Sequence, residues 1–229
     1  MDKRLYLDVN RLAGESSWAH AIASLLARSG GMILLGLLVL LALWSARRRS
    51  FGGSDLDRLA AVAWVVIGTA VAFLVALPVC HLVARARPFV AVPHAAVIGA
   101  RTGGFSFPSE HAVVAGATAA GLWFCGTRLI AAAASLLALA IAFSEVYIGL
   151  SYPSDVVAGL LIGIFVTLVG YPLAIGPLRA ATHRLSKSPA HFLVGGGPSA
   201  RSFGAGPAAH PEPVGEGGGV RILPKQGEK

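Results

Sequence analysis

Long runs of apolar residues with almost no charge constrain this chain more than any other feature. Five such runs occupy residues 31–46, 59–80, 109–126, 129–150 and 154–177. A helix needs about 20 mostly apolar residues to cross a hydrocarbon core about 30 Å thick. The hydrophobic set makes up 55% of the 229 residues and charged residues only 13%, which is unlike a water-soluble domain. The runs therefore predict an all-α fold, a polytopic membrane helical bundle with about five transmembrane helices.

The segments that flank these runs differ from them in composition. Residues 1–29 mix apolar and charged side chains, which favours an N-terminal amphipathic helix at the membrane interface over a spanning helix or a cleavable signal peptide. After residue 188 the chain is rich in Gly, Pro, Ser and Ala and lacks the apolar surface needed for ordered packing. We therefore predict an interfacial segment over 1–29, a transmembrane domain over 30–180 and a disordered tail over 181–229.

The net charge of +8 arises from basic residues in short clusters beside the apolar runs. Such clusters favour contact with anionic lipid headgroups and a cytoplasmic location, and they do not favour nucleic acid as a partner. They lie at 47–49, at Arg128 and at 179–187, in alternate connections of the predicted bundle. We therefore expect a multi-pass protein of the plasma (inner) membrane, with membrane lipids as partners and a cytoplasmic C-terminal tail. The loops 81–108 and 151–153 then face outside.

Charged and hydroxyl-bearing residues of several separate segments are predicted to lie together on this outer face. They are Arg85, Arg87, Ser109, Glu110, His111, Glu145, Ser151 and Asp155. Polar groups at membrane depth are costly to keep, so a convergent set of them favours a functional site.

The residue types in this set suit a phosphate group. Pro108-Ser109 is typical of a helix start, where a hydroxyl caps the helix and exposed N–H groups attract an anion. Arginines such as Arg85 and Arg87 present planar forks that match phosphate oxygens, and His111 is suited to transfer a proton near neutral pH. These groups predict a site that binds and helps to cleave a phosphate ester. The alternative, in which Ser109 only caps a helix and His111 is an incidental polar residue, stays open.

The polar segments resemble three signatures of the type 2 phosphatidic acid phosphatase and vanadium haloperoxidase superfamily. In its membrane branch these are Lys, six residues and Arg-Pro; Pro-Ser-Gly-His; and Ser-Arg, five residues, His, three residues and Asp. Here the corresponding segments are Cys80 to Pro88, Pro108 to His111 and Ser144 to Asp155, with the same spacings. The resemblance covers about residues 5–175 and extends to the bacterial branch that includes undecaprenyl diphosphate phosphatases.

The resemblance implies roles for the positions that match. Arg87 and Ser109 would bind phosphate, together with the backbone amides of residues 109–111. His111 would protonate the leaving group, and Asp155 would support the attacking residue. Glu110 replaces the Gly of the second signature, where the bacterial branch tolerates an acidic residue.

Three departures fall on positions that the family uses for catalysis. Cys80 replaces the phosphate-binding Lys, Glu145 replaces an Arg, and Ser151 replaces the His that attacks phosphorus. A neutral serine is a weak nucleophile unless a base is adjacent, and Asp155, four residues on, is one candidate for that base. A carboxylate at Glu145 repels phosphate, so we expect it to form an ion pair with Arg87 or Arg85.

Two functions stay open at this point. One is a membrane lipid phosphatase that acts on polyprenyl (di)phosphates or phosphatidic acid at the outer membrane face. The other is a catalytically inactive relative that binds a lipid phosphate or a partner protein in envelope lipid metabolism. We expect no cofactor, because the haloperoxidase branch binds vanadate through the His that is absent here. We also expect no metal, because His81, His94, Glu110 and Glu145 lack a diagnostic ligand spacing.

Overall fold

The computed structural model of this protein describes residues 2–13, 17–48, 53–92, 97–98 and 103–188. The helices are α1 Asp2–Ala13, α2 Ser17–Leu25, α3 Gly31–Arg48, α4 Gly53–Val83, α5 Pro88–Ala91, α6 Glu110–Trp123, α7 Arg128–Tyr147 and α8 Pro153–Ser186. All regular structure in the described part of the chain is helical, so the predicted all-α membrane bundle is confirmed. Helix α8 continues into the range predicted as a tail, and residues 189–229 lie outside the described residues.

Four helical stretches are long and apolar enough to cross a membrane. They are Ala19–Arg48, Leu56–Ala91, Arg128–Tyr147 and Pro153–Ser186. The third predicted span, 109–126, forms the shorter helix α6 of 14 residues. At 1.5 Å per residue this helix is about 21 Å long, less than the hydrocarbon core. It begins after its cap at Ser109, and the chain turns away at Gly126, whose φ of 73° favours glycine.

The first spanning helix starts earlier than the predicted Gly31. Its two parts, α2 and α3, join through Leu26–Gly30, where Arg28 departs from helical geometry at φ −101° and ψ −130°. Ahead of it, α1 packs against α7 and α8, with Tyr6 fully buried. The Asn10 side-chain amide donates to the Tyr147 carbonyl at 3.3 Å. An N-terminal helix is therefore present, and its location at a membrane interface stays a prediction.

Helix α6 is the central element of the bundle. Its residues from Ala112 to Leu122 are almost all buried, and its neighbours are α4, α7 and α8. It lies so close to α8 that a Cβ atom on Gly163 would come within 2.2 Å of the Val113 carbonyl oxygen. A Cβ atom on Gly116 would likewise approach the Leu160 carbonyl oxygen to 2.6 Å. Small residues thus let the two backbones touch, as is common between membrane helices.

We predict that Gly163→Ala destabilises the bundle by about 1–3 kcal/mol, because the added methyl group forces α6 and α8 apart. Thermal unfolding of the detergent-solubilised protein measures the effect. Gly36→Ala is the matched control, since no atom lies within 4 Å of the position a Cβ would take there. Equal stability of the two variants would contradict the proposed backbone contact.

Candidate functional site

Four chain segments meet at one end of the bundle: the link from α4 to α5, the start of α6, the end of α7 and the start of α8. The Ser109 amide donates to the Asp155 carbonyl at 3.1 Å, which joins the starts of α6 and α8. The Ser106 amide donates to the Arg85 carbonyl at 2.8 Å, which joins the segment before α6 to the link after α4. The convergence predicted from the sequence is therefore present.

A cavity of about 160 Å³ opens between these segments. Its polar lining consists of Arg87, Ser106, Ser109, Glu110, His111, Glu145 and Ser151. Two larger apolar cavities, of about 360 and 550 Å³, have no charged residue in their linings. The small polar cavity is thus the one of these three that is suited to a charged ligand.

The buried carboxylate of Glu145 is the centre of this polar lining. Its Oε2 atom accepts hydrogen bonds from the hydroxyl groups of Ser109 and Ser151, the latter at 3.0 Å. Its Oε1 atom lies 2.8 Å from the Nδ1 atom of His111. A buried carboxylate is costly without partners, and these three contacts supply them. Because Nδ1 lies against Glu145, Nε2 is the ring nitrogen of His111 that we expect to face a ligand.

Ser109 has two roles in this arrangement. Its side-chain oxygen accepts a hydrogen bond from the Ala112 amide at 3.2 Å, so it caps α6. Its hydroxyl proton is donated to Glu145. The predicted cap is confirmed, and the cap is at the same time part of the polar cavity.

Arg87 lines the cavity without a carboxylate partner in the described residues. Its Nη1 atom donates to the Leu150 carbonyl at 3.3 Å, and its buried Nε atom has no acceptor there. The expected ion pair between Glu145 and Arg87 or Arg85 is therefore wrong. His111 lies one turn into α6 and takes the place beside Glu145 that was expected for an arginine.

Arg85 belongs to a separate network beside the cavity. It contacts Asp155 at 2.5 Å and Asp2 of α1 at 2.6 Å, and its guanidinium carbon lies 4.0 Å from the centre of the Tyr152 ring. Asp155 also accepts hydrogen bonds from the Ser106 hydroxyl at 2.5 Å and the Tyr152 amide at 3.2 Å. Neither Arg85 nor Asp155 lines the cavity.

This network leaves Asp155 without a contact to Ser151 in the described structure, and the residue hydrogen-bonded to the Ser151 hydroxyl is Glu145. Asp2 and Ser106 were not recognised from the sequence. Asp2 lies far from every signature along the chain, and a serine in a loop carries no diagnostic pattern. Only the fold brings them to Arg85 and Asp155.

The remaining candidates lie outside the cavity lining. Cys80 is buried near the end of α4, and the exposed His81 contacts the ring of Phe105 edge-on at 6.0 Å. His94 lies outside the described residues. Within the residues that the structure describes, no group of three His, Cys, Asp or Glu side chains is arranged to hold a metal ion.

The pKa of Asp2 is lower than that of an ordinary aspartate. Burial alone would raise its pKa, but hydrogen bonds from Ser154 and Arg85 and the charge of Arg85 outweigh it. A carboxyl group with a lowered pKa contributes stability that is fully present above its ordinary pKa and is lost as the pH falls through its lowered folded-state pKa. Asp2 therefore holds α1 against the start of α8 at neutral pH.

We predict that Asp2→Asn lowers the free energy of local unfolding of α1 by about 1 kcal/mol, because the ionic contact to Arg85 is lost. Faster hydrogen exchange of the α1 amides at neutral pH, with little change in α7, is the expected result. Asp8→Asn is the control in the same helix, since Asp8 is exposed. Unchanged exchange in Asp2→Asn would show that the remaining contacts, the packing of Tyr6 and the Asn10 hydrogen bond, hold α1 without Asp2.

The fold and the cavity together define a helical membrane protein with a polar pocket formed by helix ends. Residues 61–175 match the family model of the PAP2 superfamily. This is half of the chain, and the protein therefore belongs to the PAP2 superfamily. Its placement in the undecaprenyl diphosphate phosphatase branch stays a prediction.

Two solved structures share this fold. The crystal structure of Aquifex aeolicus LpxE superposes with a TM-score of 0.59 at 20% identity, covering 74% of this chain and 93% of that chain. The crystal structure of the first transmembrane PAP2 type phosphatidylglycerolphosphate phosphatase from Bacillus subtilis superposes with a TM-score of 0.57 at 15% identity. The match covers 75% of this chain and 83% of that chain. Identities this low show the fold alone. No curated protein matches the sequence.

Proposed function

We propose that this protein binds the phosphate group of a membrane lipid in the cavity at the start of α6. The observation that supports this most is the buried Nε atom of Arg87, which has no acceptor among the described residues although Arg87 lines the cavity. An unpaired buried donor calls for an explanation, and an anion within reach of the guanidinium provides one.

The other donors around the cavity suit the same ligand. The first amides of α6 have no acceptor within the helix, and a helix N-terminus attracts anions. The Nε2 atom of His111 is available to a phosphate oxygen or to a leaving group. Membership of the PAP2 superfamily is consistent with a lipid phosphate, because the Bacillus subtilis neighbour is named as a phosphatidylglycerolphosphate phosphatase.

Binding is the first function we propose, because the described lining has a serine at position 151, where the family signature has its attacking histidine, and contains the Glu145 carboxylate. Ser151 occupies the nucleophile position of the family signature, and its hydroxyl is hydrogen-bonded to Glu145. A negative charge inside the cavity opposes the approach of an anion, so rapid turnover of the kind expected for a phosphohistidine enzyme is not favoured.

Hydrolysis through Ser151 is a second candidate, and the same hydrogen bond supports it. Glu145 would accept the hydroxyl proton as the Ser151 oxygen bonds to phosphorus and the bond to the lipid oxygen breaks. His111 would give a proton to that oxygen, and water would then release phosphate from the serine. The contact to Glu145 provides the adjacent base that the sequence alone did not reveal.

The charges at the opposite end of the bundle support an outward-facing site. Ala46, Leu59 and Leu185 pack together there, which puts the ends of α3 and α8 on one side. The basic residues Arg47, Arg48, Arg128, Arg179 and Arg184 lie at that end of their helices. Because basic ends remain in the cytoplasm, the cavity would face the outside of the plasma membrane.

We predict that Arg87→Ala weakens binding of short-chain phosphatidic acid about 10- to 100-fold, since a charge-assisted hydrogen bond contributes about 1.5–3 kcal/mol. Calorimetry on the detergent-purified full chain measures this. Arg87→Lys should restore only part of the affinity, because lysine keeps the charge and loses the planar fork. Arg179→Ala, which removes a cation paired with Asp57 at the other end, is the control. Equal affinities in Arg87→Ala and Arg179→Ala would contradict the proposed site.

Phosphate release by the same preparation separates the two functions. We expect little or no release from the wild type and a gain in the triple variant Ser151→His, Glu145→Arg, Cys80→Lys. Ser151→His alone should release no phosphate, because Glu145 would remain beside the new imidazole and repel the phosphate. Release by the wild type that Ser151→Ala abolishes would instead establish the serine route.

A further inference from the structure

We infer that Glu145 makes the cavity selective for a phosphate group that carries a proton. The ligand class is a lipid that ends in a phosphate monoester with a P–OH group. Sulfate esters and phosphate diesters, which have no such proton at neutral pH, are disfavoured. This inference rests on the proposed function, because it concerns the ligand of the same cavity.

The free acceptor capacity of Glu145 is the basis of this selectivity. An ionised carboxylate accepts about four hydrogen bonds through two oxygens. Ser109 and Ser151 both donate to Oε2, whereas His111 is the one described contact of Oε1. One acceptor position therefore remains on Oε1 of a residue that lines the cavity. A P–OH group fills that position as a donor.

An anion without a proton cannot donate a hydrogen bond to Glu145. Its oxygens are acceptors only, so they would face the Glu145 carboxylate with no hydrogen atom between them. The described lining also contains Glu110, while its cationic groups are Arg87 and, when protonated, the His111 that contacts Glu145. An oxygen of such an anion that lies against either carboxylate is repelled, and a bridging proton converts the repulsive contact into a charge-assisted hydrogen bond.

Glu145 is also held too firmly to be displaced by the ligand. Moving its carboxylate out of the cavity would leave the Ser109 and Ser151 hydroxyl groups and His111 Nδ1 without their acceptor. Unsatisfied buried donors are costly, so the ligand must bind beside the carboxylate. A site that is built to hydrogen-bond a hydroxyl group of its ligand strongly rejects an analogue that lacks it.

Octyl phosphate and octyl sulfate form the test pair, because they share a tail and a tetrahedral headgroup and differ in the proton. Calorimetry on the detergent-purified full chain at pH about 6, where about half of a phosphate monoester retains its P–OH, gives both affinities. We expect the wild type to prefer octyl phosphate by about tenfold or more. In Glu145→Gln the ratio of the affinity for octyl phosphate to that for octyl sulfate should fall to near one, since the amide NH₂ group can donate to either anion.

Glu110→Gln is the control for charge alone. It removes a carboxylate from the same lining and leaves the acceptor on Glu145, so both affinities should rise while their ratio stays as in the wild type. A ratio that falls as far in Glu110→Gln as in Glu145→Gln would overturn the inference, because net charge would then explain it.

Further outcomes distinguish this inference from the function on which it rests. Equal binding of the two ligands by the wild type overturns the selectivity and leaves the phosphate site intact, and this result needs no variant. Binding of both ligands only after Glu145→Gln shows that Glu145 blocks the cavity, which also overturns the selectivity. Binding of neither ligand by any of the three proteins overturns the proposed function together with the inference.

Discussion

The contact between the backbones of α6 and α8 is the constraint on which the rest of the structure depends. Gly116 and Gly163 remove the side chains that would keep the two helices apart. With the helices in contact, the Ser109 amide reaches the Asp155 carbonyl, and the starts of both helices come together at one end of the bundle. Ser109, Glu110 and His111 of the cavity are positioned by the start of α6, and Ser151 directly precedes the start of α8. Packing by small residues in the middle of the bundle thus determines the geometry of a polar site at its end.

At that end, the two departures at Glu145 and Ser151 belong to one arrangement. The family signature has Arg and His at these positions, whereas here a carboxylate accepts a hydrogen bond from a serine hydroxyl. With either departure alone, a group needed for phosphate chemistry would be missing: a carboxylate beside an attacking imidazole repels the phosphate, and a guanidinium beside a serine provides no base. Together they form a satisfied buried cluster with Ser109 and His111. We therefore interpret the pair as one internally consistent arrangement, and we propose that it supports a chemistry different from that of the family signature.

The helices that surround this site could be predicted from local patterns in the sequence. Apolar runs identified the spanning helices, and the Pro108-Ser109 pair identified the start of α6 and its cap. The partner of Glu145 did not follow from the sequence, because the choice between Arg87 and His111 depends on side-chain directions at the meeting of three helices. The contact of Asp2 with Arg85 joins positions 83 residues apart, and no local pattern encodes it. Resemblance to signatures identified the right segments, and only the fold decided which of their side chains face the cavity.

The charge pattern at the cavity end limits how a phosphate can be held there. Arg85 is neutralised by Asp2 and Asp155, and Cys80 provides no charge where the family signature has a lysine. The described lining combines Arg87 with two carboxylates, Glu110 and Glu145, and with His111, which contacts Glu145. The net charge of the cavity lining would therefore contribute little to the proposed binding of a phosphate. In the proposed phosphate site, directed hydrogen bonds from Arg87, from the first amides of α6 and to Glu145 would supply the affinity. Such bonds depend on the positions of protons more than on the total charge of the ligand.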